Sequence, residues 1–149
     1  MLADRPEGAG VLDLFAGCGA LGLEALSRGA AACVLVESSP DVLPTLRENV
    51  AALGLPGASV VAVDALEPHC YGAWAPYDLL LLDPPYRKGL GELALNAVAA
   101  GGLLASGGMA AMVHEAGGAP RAPAGWSVTR TRRHGDSAIT LLEVPEGDE

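Results

Sequence analysis

The amino-acid sequence predicts an α/β domain built on a doubly wound, mostly parallel sheet that ends in an antiparallel hairpin. Two observations carry that expectation. Short apolar runs alternate with longer segments of helical spacing, and the runs are almost continuously apolar, as strands covered on both faces must be. VLDLF at 11–15 is the first strand, and it leads into a helix over 20–27 that stops at Gly29, where a left-handed residue suits a helix end. CVLVE at 33–37 is the second strand. The helix over 39–53 has Ser39 as its cap, Pro40 at its first position and Gly54 as its stop. Pro44 removes one early hydrogen bond and is expected to kink or delay that helix. VVAVD at 60–64 and DLLLLD at 78–83 give strands three and four, followed by a helix at 90–99 and a fifth strand at 109–114. Residues 126–144 read as a hairpin turning near Gly135-Asp136, and the Gly- and Pro-rich stretches 101–108 and 117–125 read as loops.

Residues 1–149 are expected to form one domain, with a short lead at 1–10 and an acidic tail at 145–149 that is solvated and partly disordered. The chain carries 9 Lys and Arg against 18 Asp and Glu, a formal net charge of −9. That balance opposes nucleic-acid binding through a broad basic surface, because phosphate contacts need clustered cations. Cys18, Cys33 and Cys70 are widely spaced and form no CxxC pair, so neither a disulfide scaffold nor a zinc ribbon is expected. A reducing, cytoplasmic compartment fits them best. Apolar stretches break well short of a membrane span, and MLADRPEGAG lacks the basic flank and apolar run of a signal peptide, so no membrane partner is expected.

The first strand runs into a literal GxGxxG at Gly17, Gly19 and Gly22, and Glu37 closes the second strand 20 residues after Gly17. Such glycines allow a tight strand-to-helix turn against a ligand, and the acid suits ribose hydroxyls. A dinucleotide is compatible with those facts alone. Asp13 tilts the balance: a carboxylate four residues before Gly17 would repel a pyrophosphate, but would stabilise the sulfonium and ammonium of S-adenosylmethionine. Asp64, followed by Ala65, could accept a hydrogen bond from an adenine amine. Strand-end acids are also common helix caps, and that alternative stays open.

The fourth strand ends in Asp83-Pro84-Pro85-Tyr86. Methyl transfer to an exocyclic amine requires the nitrogen lone pair to leave ring conjugation and face the methyl carbon. The Asp83 carboxylate and the Pro84 carbonyl can accept the two amine hydrogens, while the prolines hold the backbone still. Tyr86 offers a face on which a flipped-out base can stack. Arg87 and Lys88 follow directly and suit a neighbouring phosphate. Arg130 and Arg132 fall on one face of the hairpin by alternation, where phosphate contacts compete with simple solvation. His114-Glu115 lacks the second His of HExxH and reads as a strand end. His69 and Cys70 have no partner at metal-ligand spacing, so no metal is expected, and Trp74 and Trp126 read as packing residues.

These residues amount to a resemblance. DLFAGCGALGLEALSRGA from Asp13, Glu37, Asn49, DPPYRKG from Asp83 and RRHGDSAITLLEV from Arg132 resemble the RsmD-type family of bacterial methyltransferases, over residues 11–144 in order. The family implies a Rossmann-like class I methyltransferase fold and transfer of a methyl group from S-adenosylmethionine to the N2 amine of a guanine in 16S ribosomal RNA, within a small-subunit particle. By that resemblance Asp13, Phe15, Gly17, Gly19, Glu37, Asp64 and Ala65 hold the donor, and Asp83 to Tyr86 the target base. Cys18 stands where the family usually has Ser. The family also carries a longer basic extension before its first strand, so RNA docking is expected to draw on local patches or on a basic segment outside these residues. Three alternatives are a DNA adenine-N6 methyltransferase, which shares DPPY, a nucleotide-binding oxidoreductase, and a catalytically weak binding module.

Overall fold

A computed structural model describes residues 6–86 and 89–146. The elements are β1 Gly10–Leu14, α1 Ala20–Ser27, β2 Ala32–Val36, α2 Leu43–Leu53, β3 Ala58–Val61, β4 Tyr77–Leu82, α3 Leu90–Ala100, β5 Leu104–Glu115, β6 Ser127–His134 and β7 Ser137–Glu143, with two short 3-10 turns between β3 and β4. They form one seven-stranded sheet in the order β3-β2-β1-β4-β5-β7-β6. The first five strands are parallel, and β7 inserts antiparallel between β5 and β6.

The apolar runs are continuous because each strand feeds two cores. Leu12, Leu14, Val34, Val36, Leu80 and Leu82 pack toward α3 with Tyr71 and Tyr77. Their alternates Val11, Cys33, Leu35, Leu79 and Leu81 pack toward α1 and α2. A flip of one residue in any central strand would exchange one buried face for another, so register comes from fit and from the tips rather than from a polar side. Among the described residues no helix is long and apolar enough to cross a membrane. All three cysteines are free.

Three boundaries and the placement of one tryptophan differ from the sequence expectation. The helix expected from Ser39 starts at Leu43, with Val42 rather than Ser39 at its cap. Residues 39–42 form a turn in which the Ser39 carbonyl accepts the N–H groups of Val42 and Leu43. This start leaves Pro44 in the first helical turn, where a missing N–H costs nothing because no intrahelical carbonyl awaits it. The third strand ends at Val61 instead of reaching Asp64, since β2, its one neighbour among the described residues, ends at the paired Val36. The expected loop 101–108 is largely strand: β5 begins at Leu104, and a register shift between Tyr77 and Leu79 absorbs the extra residues. Gly108 makes that irregularity possible, because a Cβ there would lie 2.8 Å from the Ala105 carbonyl oxygen. Finally, Trp126 packs on the core as expected, but Trp74 sits half-exposed on a 3-10 turn outside the sheet. The hairpin turns at Gly135-Asp136 as expected, and the tail beyond 146 lies outside the described residues.

Candidate active site

The carboxyl ends of β1, β2 and β4, with the segment after β3, meet around one cleft of about 550 Å³. Phe15 and Gly17 line it from the β1 side, Glu37 and Ser39 from β2, Asp64 from beyond β3, and Asp83 from β4. The turn after β1 needs its glycines: Gly17 and Gly19 have φ of 58° and 91°, a region that L side chains rarely adopt. Phe15, at φ 59°, enters the same region without being glycine, a strained backbone of the kind found at ligand clamps. Two side chains hold the turn in place. Glu37 Oε1 accepts the Gly17 N–H at 2.8 Å while its Oε2 accepts the Ser39 N–H at 3.0 Å. Asn49, from α2, donates its amide to the Cys18 carbonyl at 2.8 Å.

Asp13 is placed differently from Glu37. It is 1% exposed, does not line the cleft, and accepts the Gly22 N–H from α1 at 3.0 Å through Oδ2. The last glycine of GxGxxG is required by this contact, since a Cβ on Gly22 would stand 2.8 Å from both Asp13 Oδ2 and Cys33 Sγ. Burial pushes the Asp13 carboxyl up to about 7; the Gly22 N–H opposes the rise, and the charges of Asp83 and Glu37 add to it. The group therefore sets the loop from beneath. Gly19 and Ala65 are likewise buried and stand behind the cleft lining.

Asp64 is exposed at the rim, where its Oδ1 accepts the Leu66 N–H at 2.9 Å in a tight turn. The turn is anchored from below by tyrosines that the sequence did not single out. Tyr71 donates its hydroxyl to the Ala65 carbonyl at 2.6 Å, and Tyr77 donates to the Tyr71 carbonyl at 2.5 Å. Two buried Tyr hydroxyls in apolar surroundings require partners, which is the one signal the sequence offered.

Asp83 faces the cleft, and partial removal from water raises its carboxyl above the ordinary range. Pro84 is buried beneath it and Pro85 is exposed. Tyr86 turns away from this cleft into a neighbouring cavity, with its hydroxyl 3.0 Å from Ser137 Oγ on the hairpin. Ser38, Leu66 and Leu90 also line the cleft and were not anticipated. Arg87 and Lys88 lie outside the described residues. Arg130 and Arg132 sit opposite Leu141 and Ile139 on one exposed face of β6, away from the cleft. His114 is a buried residue next to the end of β5, bonded through Nε2 to Thr140 Oγ1 at 2.7 Å. His69 and Cys70 do acquire a partner, contrary to expectation: the 3-10 turn brings Glu67 into reach, and the three ligand atoms lie within 4.8 Å of one another.

A reversed last strand slotted between strands five and six, with carboxylates gathered at the tips of the parallel half, is the architecture of class I methyltransferases. The solved structure of yhhF from Escherichia coli superposes with a TM-score of 0.87 at 37% identity, covering 98% of this chain and 82% of that one. An RNA methyltransferase from Salinibacter ruber, solved in complex with S-adenosyl-L-homocysteine, shares the fold at a TM-score of 0.69 and 19% identity, over 99% of this chain and 88% of that one. In sequence, the chain is 38% identical over 133 residues to ribosomal RNA small subunit methyltransferase D of Escherichia coli strain K12, spanning 89% of this chain and about two thirds, 67%, of that protein. Residues 1–143 match the family described as Conserved hypothetical protein 95, and the chain belongs to that family.

Proposed function

We propose that the chain transfers the methyl group of S-adenosylmethionine to the exocyclic N2 amine of a guanine in 16S ribosomal RNA, presented by a small-subunit particle. The observation that carries this reading is the position of Asp83-Pro84 on the wall of an acidic cleft. Glu37, Asp64 and Asp83 place three carboxylates around it, a setting that suits a cationic nucleoside and opposes a pyrophosphate. Glu37 and Asp64 would hold the ribose and adenine ends, each retaining acceptor capacity beyond its backbone N–H. Bound there, S-adenosylmethionine supplies an electrophilic methyl carbon on sulfonium sulfur. Asp83 and the Pro84 carbonyl orient the amine by accepting its two hydrogens, turning the nitrogen lone pair toward that carbon. Asp83 then takes the proton that the amine loses. Tyr86, 40% exposed, offers the face for the base. The family supports ribosomal RNA as substrate, since the Escherichia coli relative bears that activity in its name.

The test is transfer of labelled methyl to small-subunit particles and to naked 16S RNA, followed by mass analysis of nucleosides. N2-methylguanosine is the expected product; methyl on adenine N6, or none, would overturn the reading. Asp83→Ala should leave S-adenosylhomocysteine affinity within a few-fold and abolish transfer, and an equal loss of donor binding would remove Asp83 from the acceptor side. Calorimetric titration with NAD separates the oxidoreductase alternative, which requires NAD to bind and S-adenosylhomocysteine not to.

A further inference from the structure

Past Pro84 and Pro85 the site continues into a second cavity of about 460 Å³. Both cavities touch Pro84, Pro85 and Leu90, so the DPP backbone is a partition between them. The far walls are the first turn of α3, the end of β5 and the turn at 116–120. Gly91 keeps α3 tight against the partition: a Cβ there would lie 3.0 Å from Pro84 Cγ and would overlap the Met112 side chain. Met112, Val113 and Pro120 supply apolar surface, and Glu92 and Glu115 supply carboxylates. Glu92 is fixed in orientation, because its Oε2 accepts the Arg121 N–H at 3.0 Å and so ties the turn after β5 to α3. A carboxylate has about four lone-pair sites, so this one bond leaves Glu92 free to accept more.

We propose that this cavity receives the acceptor base and that Glu92 is the residue selecting guanine, by accepting its N1–H beside the N2 amine. Among the four bases only guanine presents two adjacent donors, N1–H and N2–H, on its pairing edge. Adenine N1 and cytosine N3 would turn lone pairs toward the carboxylate, and uracil offers a single donor. The volume falls within the usual range for small-ligand sites, about 300–1,000 Å³, and exceeds what a purine ring needs. A base placed there would pass its N2 beside Pro84, which lines both cavities, toward Asp83 on the other side. The inference rests on the methyl-transfer reading and adds to it the group that reads the base.

The test first locates the methylated guanine in 16S RNA by mass mapping of RNase fragments, and then uses RNA ligated to carry either guanine or 2-aminopurine at that position. 2-Aminopurine keeps the reacting amine but lacks N1–H. The intact protein should prefer guanine by at least about tenfold in kcat/KM, as loss of a hydrogen bond to a charged acceptor requires. Glu92→Gln, whose amide oxygen can still accept the Arg121 N–H, should bring the two substrates within about threefold while leaving S-adenosylhomocysteine affinity unchanged. An unchanged preference would overturn the role of Glu92, and a preference that collapses in Glu115→Gln instead would move it there. Should Glu92→Gln fail to fold, Ala116→Trp fills the cavity from its wall; it should abolish transfer with donor binding intact, and full activity would refute the cavity as the base site. If the intact protein methylates neither RNA, the functional reading itself fails, and that outcome is distinct from the others.

Discussion

Glu37 Oε1 takes the N–H of Gly17 and its Oε2 the N–H of Ser39, so one side chain locks the Gly-rich turn to the tip of β2. Glu37→Ala therefore loosens the turn and removes the charged acceptor proposed for ribose. Donor affinity should fall by about 1.5–3 kcal/mol, read by calorimetry with S-adenosylhomocysteine, and unchanged affinity would take Glu37 out of the site. Asp13 works from beneath the same turn. Its carboxyl stands at about 7 in the fold, against about 3.9 in an unfolded chain. Because the folded value is raised, the contribution of Asp13 to stability is fully present below about pH 4 and is lost as pH rises through about 7. Asp13→Asn keeps an acceptor for the Gly22 N–H but cannot ionise. Urea unfolding near pH 4 and near pH 8 should show the native protein losing a few kcal/mol relative to the variant between them. A constant difference would mean that Asp13 titrates normally.

The segment between β3 and β4 is held by the pairing of Tyr77 with the Tyr71 carbonyl and of Tyr71 with the Ala65 carbonyl. Tyr71→Phe leaves a buried carbonyl without its donor, so unfolding free energy should drop by about 1–3 kcal/mol. Donor affinity should weaken a few-fold as Asp64 loses its anchor; if neither quantity moves, the tyrosine does not hold the turn. The sequence made legible what depends on local rules. Positive φ at Gly17 and Gly19, alternation in β1, β2 and β4, and the Gly135-Asp136 turn are each written in a few neighbouring residues. What escaped depends on partners distant in the chain. β3 stops where β2 stops, α2 starts where Pro44 does least harm, and the β5 irregularity absorbs residues left over from pairing with β4. The acids of the motifs were visible as acids, but whether each faced a cleft or a helix N–H was not: Asp13 and Glu37 look alike in sequence and stand on opposite sides of the same turn.

Across the whole molecule the charge of −9 is unevenly placed. Glu37, Asp64 and Asp83 surround the cleft proposed for the donor, whereas Arg130, Arg132 and Arg133 lie on β6, the last strand of the sheet, with every residue exposed. Tyr86 connects the two regions through Ser137, the residue paired with His134. Arg133, paired with Ala138, shares the α3 face of the sheet with the second cavity, whereas Arg130 and Arg132, paired with Leu141 and Ile139, stand on the opposite face of the same edge strand, so an RNA strand reaching that cavity would meet them by crossing the edge. Replacing Arg130 and Arg132 by Ala should weaken RNA binding and flatten its salt dependence, by nearly one unit of log–log slope for each phosphate no longer neutralised, with donor affinity unaltered. An identical slope would place RNA elsewhere.

That open edge has a second consequence. A fully exposed terminal strand offers a row of unpaired N–H and C=O groups on which another copy of the chain could extend the sheet. Arg130, Arg132 and Arg133 would be brought against their own counterparts in such a pairing, and the register shift between Val128 and Arg130 would interrupt its hydrogen-bond ladder. The arginines proposed to attract RNA also keep molecules from joining edge to edge. Their removal exposes an aggregation-prone strand.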